Sequence, residues 1–328
     1  MIRYIIKRLL LMIPVILGVT WLIFTIMYFT PGDPARIILG TEATEEEIEE
    51  LRDELGLNDG YVVRFISYVK QVFVDRDLGN SYINNRSVSE EIGMRFPYTM
   101  RVALFSTILA VLIGLPLGVL SAVNQFTWKD NAAMLLALIG ISMPSFWVAL
   151  MLSLLFALNL GWFPASGVGG WRYYVLPCIS IALTGCASIA RQTRSGMLEV
   201  IRQDYVVTAR AKGVREFLVI YKHALSNALI PILTQVGSMF GVQLGGAMIA
   251  ETIFSIPGVG TYMVSGIKNR DYPVVQGSIL YVAIVFSLVM LLVDLMYAFV
   301  DPRIRAQYQG KSRKKKAVQE EGGAVSEG

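Results

Sequence analysis

The sequence predicts an all-α integral membrane protein with six transmembrane helices, both termini cytoplasmic and a small helical cap on the external face. Three observations predict it: an apolar composition, six apolar runs of about membrane-crossing length, and a lopsided placement of basic residues. Of the 328 residues, 54% are hydrophobic and 16% charged, against roughly 25% charged in an ordinary soluble domain. A soluble chain of this length has too little interior to hide that much apolar surface.

A helix needs about 20 apolar residues to cross the hydrocarbon layer. The runs are 9–30, 102–123, 132–158, 175–190, 228–254 and 277–300. The fourth is the shortest, and its helix is expected to continue through Arg191 into the cytoplasmic region. The first run follows Arg3, Lys7 and Arg8, as a signal peptide would. It is longer than a typical signal core and leads into Pro31-Gly32-Asp33-Pro34 rather than a small-residue cleavage pattern, so it reads as an uncleaved anchor.

With the N-terminus inside, the cytoplasmic segments are 1–8, 124–131, 191–227 and 301–328, and they hold 18 of the 29 Lys and Arg residues. The external segment 31–97 holds 7 basic and 14 acidic residues, a net charge of −7. That asymmetry follows the positive-inside rule. The chain thus divides into an anchor (1–30), an external helical loop (31–97), a five-helix core (98–305) with a cytoplasmic loop (191–227), and a disordered basic and acidic tail (306–328).

Within the external loop, Thr44-Glu45-Glu46-Glu47 is a capping-box pattern. Ile48, Leu51 and Leu55 follow on one helical face, and Asn58-Asp59-Gly60 breaks the chain. Val62, Phe65, Ile66, Val69, Val72 and Phe73 then recur at helical spacing. This cap reads as a scaffold or as a dock for an external binding protein. In the tail, Gly310-Lys311-Ser312 mimics part of a phosphate-binding loop, but Arg305 stands where that loop needs its first glycine and no strand precedes it. No catalytic constellation and no metal-ligand spacing is present in the sequence, and the single His223 excludes a histidine cluster. Cys178 and Cys186, eight residues apart on a helix, would lie about 12 Å apart along the axis, so they read as core thiols rather than a disulfide.

Inside the spans, Gly237, Gly241 and Gly245 repeat every four residues, a small-residue face that reads as close helix packing. Gln235, Ser238 and Gln243 are polar on the same helix and are expected to line a substrate path. Glu251 and Asp294 are the carboxylates nearest the bilayer. Glu251, with Pro257 and Gly258, is expected at an external gate; a proton relay through Glu251 or Asp294 is the rival account. Pro116, Pro144 and Pro177 are expected to kink or interrupt their helices.

The most informative stretch lies in the cytoplasmic loop. Asp204-Tyr205-Val206-Val207-Thr208-Ala209-Arg210-Ala211-Lys212 reads as a short helix stopped by Gly213, with basic residues in its last turn. A second helix is expected over 216–227, with Pro231 opening the next span. This stretch resembles the coupling loop of bacterial ABC-importer permeases, whose pattern is Glu-Ala-Ala, three residues, Gly, and a closing Leu-Pro. The glycine falls on Gly213 and the last alanine on Ala209; Val207 and Thr208 depart from the pattern, and Ile230-Pro231 represents its close. The form Tyr205 to Gly213 is similar to the oligopeptide/dipeptide branch. So are Thr30-Pro31-Gly32-Asp33-Pro34, Leu55-Gly56-Leu57, Asp77-Leu78-Gly79, Ile113 to Gly118, Glu251 to Gly260, and Asp301-Pro302-Arg303.

The resemblance covers roughly residues 1–305 and implies a type I ABC-importer permease fold in a bacterial or archaeal cytoplasmic membrane. It implies a di- or oligopeptide importer with alternating access and no covalent chemistry on this chain. ATP and Mg would be bound by two ABC ATPase subunits; a homologous second permease (a heterodimer), an external substrate-binding protein and membrane lipid would be the other partners, with no nucleic acid. Asp204, Tyr205, Thr208, Ala209, Arg210, Ala211, Lys212 and Gly213 would be the ATPase-coupling residues. Related cargoes in the same branch are glutathione, nickel chelates and oligosaccharides. The alternative outside it is a stand-alone ion-coupled carrier, which commonly shows internal repeats; none is evident here.

Overall fold

The computed structural model describes residues 2–40 and 42–300. The expected tail 306–328, Gly310-Lys311-Ser312 and Asp301-Pro302-Arg303 lie outside them. Helix α1 (Ile2–Phe29) carries the first apolar run unbroken through Pro14. Its exposed Leu10, Ile13, Leu22 and Ile26 are the surface a lipid-facing helix presents, since a bilayer core solvates apolar side chains and forbids unpaired backbone.

The external cap follows. In α2 (Pro34–Leu39), the Asp33 carboxylate accepts the Ala35 N–H as the N-cap. In α3 (Glu45–Glu54) the capping box forms as the sequence predicts: Glu47 N–H donates to Thr44 Oγ1, and Thr44 N–H to Glu47 Oε2 at 2.8 Å. Helix α4 (Tyr61–Phe73) starts directly after Gly60. The chain then turns through an isolated Asn80–Ser87 bridge into α5 (Val88–Val123).

Helix α5 begins well before the apolar run at 102. Its polar first turns are supported locally, because Glu91 accepts from both Arg86 (3.1 Å) and Arg95 (3.0 Å). A helix end satisfied in this way can project beyond the hydrocarbon layer.

The third run departs most from expectation. It is two helices, α6 (Trp128–Ser142) and α7 (Ser145–Leu152), the second continuing as a π-helix over Ser153–Asn159, and they meet at 96°. Pro144 is the cause: proline forces the preceding residue out of the helical region, and Met143 sits at φ −80°, ψ 126°. Pro116 and Pro177 do not interrupt; α5 and α8 (Arg172–Val200) run through them. As expected, α8 passes Arg191 and extends the fourth run well beyond its 16 apolar residues.

After α9 (Asp204–Ala211), α10 (Glu216–Leu218) continues through a π-helical turn, Val219–Ala224, into α11 (Leu225–Gly246). The separate helix expected over 216–227 is therefore the start of the fifth span, and Pro231 lies inside α11 rather than opening it. The carbonyl that Pro231 leaves without an intrahelical donor belongs to Asn227, an exposed residue. The run 228–254 ends early, at Gly246, and its remainder forms α12 (Met248–Ile253). Helices α13 (Val259–Asn269) and α14 (Tyr272–Val300) complete the described chain. Among the described residues five helices are thus long and apolar enough to cross a membrane, six crossings if the bent α6–α7 pair counts as one.

Small residues decide which helices meet. A side chain at Gly114 or Gly118 of α5 would press on backbone carbonyls of α8, those of Cys186 (2.6 Å) and Ala190 (2.5 Å). On α11, a side chain at Gly237 would strike Val293, and one at Gly241 would come within 2.9 Å of Phe286. The glycine stripe is therefore the seat of α14, as small-residue faces in lipid predict. Cys178 and Cys186 are free thiols. Asp294 of α14 pairs with Arg8 of α1 at 2.7 Å, so the anchor helix is clipped to the core by an ion pair.

Candidate functional site

The cytoplasmic tip is built from α9 outward. Val206 is fully buried and Ala209 nearly so, and both enter a core cluster with Met197, Val219, Ile220 and Ala224. This pins one face of an eight-residue helix that would be marginal alone. Its end is fixed by Lys212 N–H to Thr208 O (3.1 Å) and Gly213 N–H to Arg210 O (2.9 Å). Gly213 then turns the chain at φ +73°, a left-handed conformation that costs a side-chain-bearing residue about 1–2 kcal/mol. Arg210 reaches across this turn to Glu216 at 2.8 Å, locking α9 to α10. That carboxylate holds the Arg210 guanidinium above its ordinary pKa. The result is a braced corner joined without interruption to the fifth span.

The other face of the corner is apolar and open. Phe217 is 67% exposed and Val207 54%. Tyr205, Leu218 and Tyr221 are exposed beside them, and the Phe217 and Tyr221 rings lie 4.5 Å apart. Asp204, Thr208, Arg210, Ala211 and Lys212 are also exposed. On the cytoplasmic side, an aromatic surface ringed by charge has the composition of a protein-docking patch. Of the eight residues the sequence singled out here, Ala209 alone is buried; it holds the tip rather than presenting it.

The residues expected along a path separate. Gln235 and Ser238 are half-buried on α11. Gln243 is buried, and its Oε1 accepts the Thr107 hydroxyl of α5 at 3.1 Å. Its amide oxygen therefore links α11 to α5 inside the subunit, which departs from a path-lining position.

Glu251 is fully buried on α12. The Thr99 hydroxyl donates to its Oε1 at 2.6 Å, and the Thr261 N–H donates to its Oε2 at 3.0 Å. Thr99 Oγ1 in turn accepts the Val259 N–H at 2.9 Å. A side chain on Gly258 would collide with the Glu251 carboxyl, and one on Gly260 would lie 2.6 Å from Met248 Cα. Glu251 and Gly258 are thus parts of one staple that folds the α12–α13 turn over a carboxylate and ties it to α5. Pro257 is half-buried in the same turn. Both carboxylates that the carrier account would use are engaged, Glu251 here and Asp294 with Arg8.

Sequence reading missed the cluster that closes the cytoplasmic end of the bundle. Asp130, buried at the start of α6, accepts from Arg194 Nε and Nη2, both at 2.8 Å, from the Phe126 N–H at 3.0 Å, and from the Ser121 hydroxyl. One carboxylate thereby joins α5, α6 and α8. The available signal was that Asp130 is the sole acidic residue between 98 and 198. Which of several arginines it meets is a matter of helix packing. At the outer end Asp271 does similar work, accepting from Ser81 Oγ (2.5 Å) and Tyr82 N–H (3.2 Å). Among the described residues no group of His, Cys, Asp or Glu is placed to hold a metal ion.

The comparisons with known proteins agree with this geometry. The chain is 44% identical over 333 residues to a dipeptide transport system permease protein of Alkalihalophilus pseudofirmus, covering 93% of this chain and all of that one. It is 42% identical to a glutathione transport system permease protein of Salmonella choleraesuis, covering 93% and 99%. In fold it resembles an inward-facing structure of the MetNI methionine ABC transporter, with a TM-score of 0.57 at 17% identity, over 64% of this chain and 96% of that one. Residues 114–306 match the family described as binding-protein-dependent transport system inner membrane component, and residues 1–103 match its N-terminal membrane component. The bent helices, the braced cytoplasmic corner and these matches agree: the chain belongs to the family of inner-membrane components of binding-protein-dependent transport systems.

Proposed function

We propose that this chain is the translocation subunit of an ATP-driven importer of di- or oligopeptides, set in a bacterial or archaeal cytoplasmic membrane. A homologous, non-identical permease forms the other half of the pathway, and an external binding protein delivers cargo. Two ATPase subunits bind ATP and Mg and dock on the α9–Gly213–α10 corner. The chain performs no covalent chemistry; it alternates access as the corner is pushed.

One observation carries this reading. The corner is stiff where it meets the core, through Val206, Ala209 and the Arg210–Glu216 pair, and open and aromatic where it faces the cytoplasm. It also runs into the fifth span without a break, so force on the tip reaches the membrane directly. The peptide cargo rests on the relatives named for dipeptide and glutathione transport. Glutathione, a tripeptide, is the second reading those relatives favour. The path then includes the half-buried Gln235 and Ser238 of α11.

The test is Gly213→Val in the assembled transporter. The glycine has open space around a Cβ, so the substitution strains the turn without a clash. The expected result is normal membrane insertion with uptake of labelled dipeptide lost. Normal uptake would overturn the assignment of the tip, and uptake by this chain reconstituted without any ATPase would overturn the whole reading. Competition between a labelled dipeptide and glutathione separates the two cargoes.

A further inference from the structure

Helix α4 has two apolar faces, and the fold uses only one. Tyr61, Phe65 and Tyr68 turn inward, all three packing on Phe24 of α1 with ring centroids 5.3–5.7 Å apart. Tyr61 also hydrogen-bonds Thr25 at 2.7 Å. Val62, Ile66 and Phe73 fall on a second stripe at spacings of four and seven, and among the described residues this stripe stays open: Val62 is 64% exposed and Ile66 61%. The third side of the helix is polar, and Arg64, Ser67 and Gln71 line a cavity of about 830 Å³ between the cap and the start of α14.

Depth decides what meets the open stripe. Phe24 lies five residues before the end of α1 at Phe29, so α4 crosses about 7.5 Å below that end at 1.5 Å per residue. Amphipathic helices in a membrane interface bury their apolar face by about 5–10 Å. On α1, at and around the same level, Leu22, Ile26 and Phe29 are themselves exposed and apolar, as side chains at lipid depth are. Charge agrees. The only ionisable side chains of α4 other than its tyrosines are Arg64 and Lys70, whereas neighbouring α3 carries seven carboxylates and one arginine. Where the outer leaflet carries anionic headgroups, its surface attracts the first helix and repels the second.

We propose that α4 is an interfacial helix, embedded in the outer leaflet with Val62, Ile66 and Phe73 against acyl chains and with Ser67 and Gln71 turned to the wet cavity. The external cap is thereby held against the bilayer at α4, with the acidic α3 directed away from it.

Site-directed spin labelling of the full-length chain tests this, in vesicles of phosphatidylethanolamine and phosphatidylglycerol and with Cys178 and Cys186 replaced by alanine. Labels are placed through Val62→Cys, Ile66→Cys and, as the internal control for a folded cap, Ser67→Cys. The expected result is that oxygen relaxes the labels at 62 and 66 more than a water-soluble nickel chelate does, with the order reversed at 67. Nickel-dominated relaxation at 62 and 66 would place the stripe in water and overturn the proposal. Protection of both positions from oxygen and nickel alike, appearing only when partner subunits are added, would make it a protein interface and overturn it equally.

Discussion

The cytoplasmic and outer ends of this bundle are each closed by a buried carboxylate, with different partners. At the cytoplasmic end Asp130 faces a cation, Arg194, through two parallel hydrogen bonds, and gathers Ser121 and the Phe126 amide around it. At the outer end Glu251 has no cation among its hydrogen-bond partners; it accepts a threonine hydroxyl and a backbone amide, in a turn whose glycines leave it room. The first lock depends on a charge pair. The second depends on chain conformation, because the Thr261 N–H reaches the carboxylate, and the Val259 N–H reaches Thr99, only when residues 256–261 are wrapped around it. Removing charge should therefore harm the inner lock more, and adding bulk should harm the outer one more.

The largest effect is expected at Asp130. Asp130→Ala leaves Arg194 facing a desolvated site, and breaking a buried pair of this kind costs about 3 kcal/mol. Thermal unfolding in detergent reads it, and Arg194→Ala should match it, while Arg194→Lys keeps the charge but loses the fork. Gly258→Ala comes next. Overpacking against Glu251 is expected to cost about 1–3 kcal/mol, and to free the α12–α13 turn to faster hydrogen exchange. Glu251→Gln keeps an acceptor for Thr99 and should cost only about 1 kcal/mol. A Glu251→Gln loss as large as that of Asp130→Asn would break the contrast between the two ends.

The smallest effect lies in the cap. Thr44→Ala removes the capping box of α3 at about 1 kcal/mol, seen as fraying by amide exchange with the bundle unaffected. The Thr44 amide and hydroxyl hold the Glu47 carboxyl below its ordinary pKa. A carboxyl lowered on folding stabilises fully above its unfolded pKa and loses that contribution as pH falls through the folded one. Exchange protection at the start of α3 should accordingly decline in acid, and the Thr44→Ala chain should lack that decline.

Much of the site was legible because its signals are local. The capping box needs two residues three apart, the helix stop at Gly213 needs one glycine after a basic turn, and the glycine stripe needs a spacing of four. Each formed as read. Pro144 announced a break, but not its 96° angle, because the angle is set by what α6 and α7 pack against. The second cytoplasmic helix departs from expectation for a related reason. Pro231 signals a boundary in a soluble helix, whereas here its unpaired carbonyl belongs to the exposed Asn227, and α11 runs through it. Polarity alone suggests a path-lining Gln243; its buried place against Thr107 follows from how α11 meets α5.

Composition, run length and local helix signals by themselves determined a multi-spanning helical protein and the position of the corner at Gly213. These are properties of single segments in their solvent, and the bilayer reads them one segment at a time. Only the tertiary structure decided which buried polar groups meet: Asp130 with Arg194 across 64 residues, Thr99 with Glu251 across 152, and Ser81 with Asp271 across 190. A buried carboxylate must be satisfied by some donor, but many donors in the sequence would serve. Helix packing, set by where glycines permit close approach, brings one of them within reach.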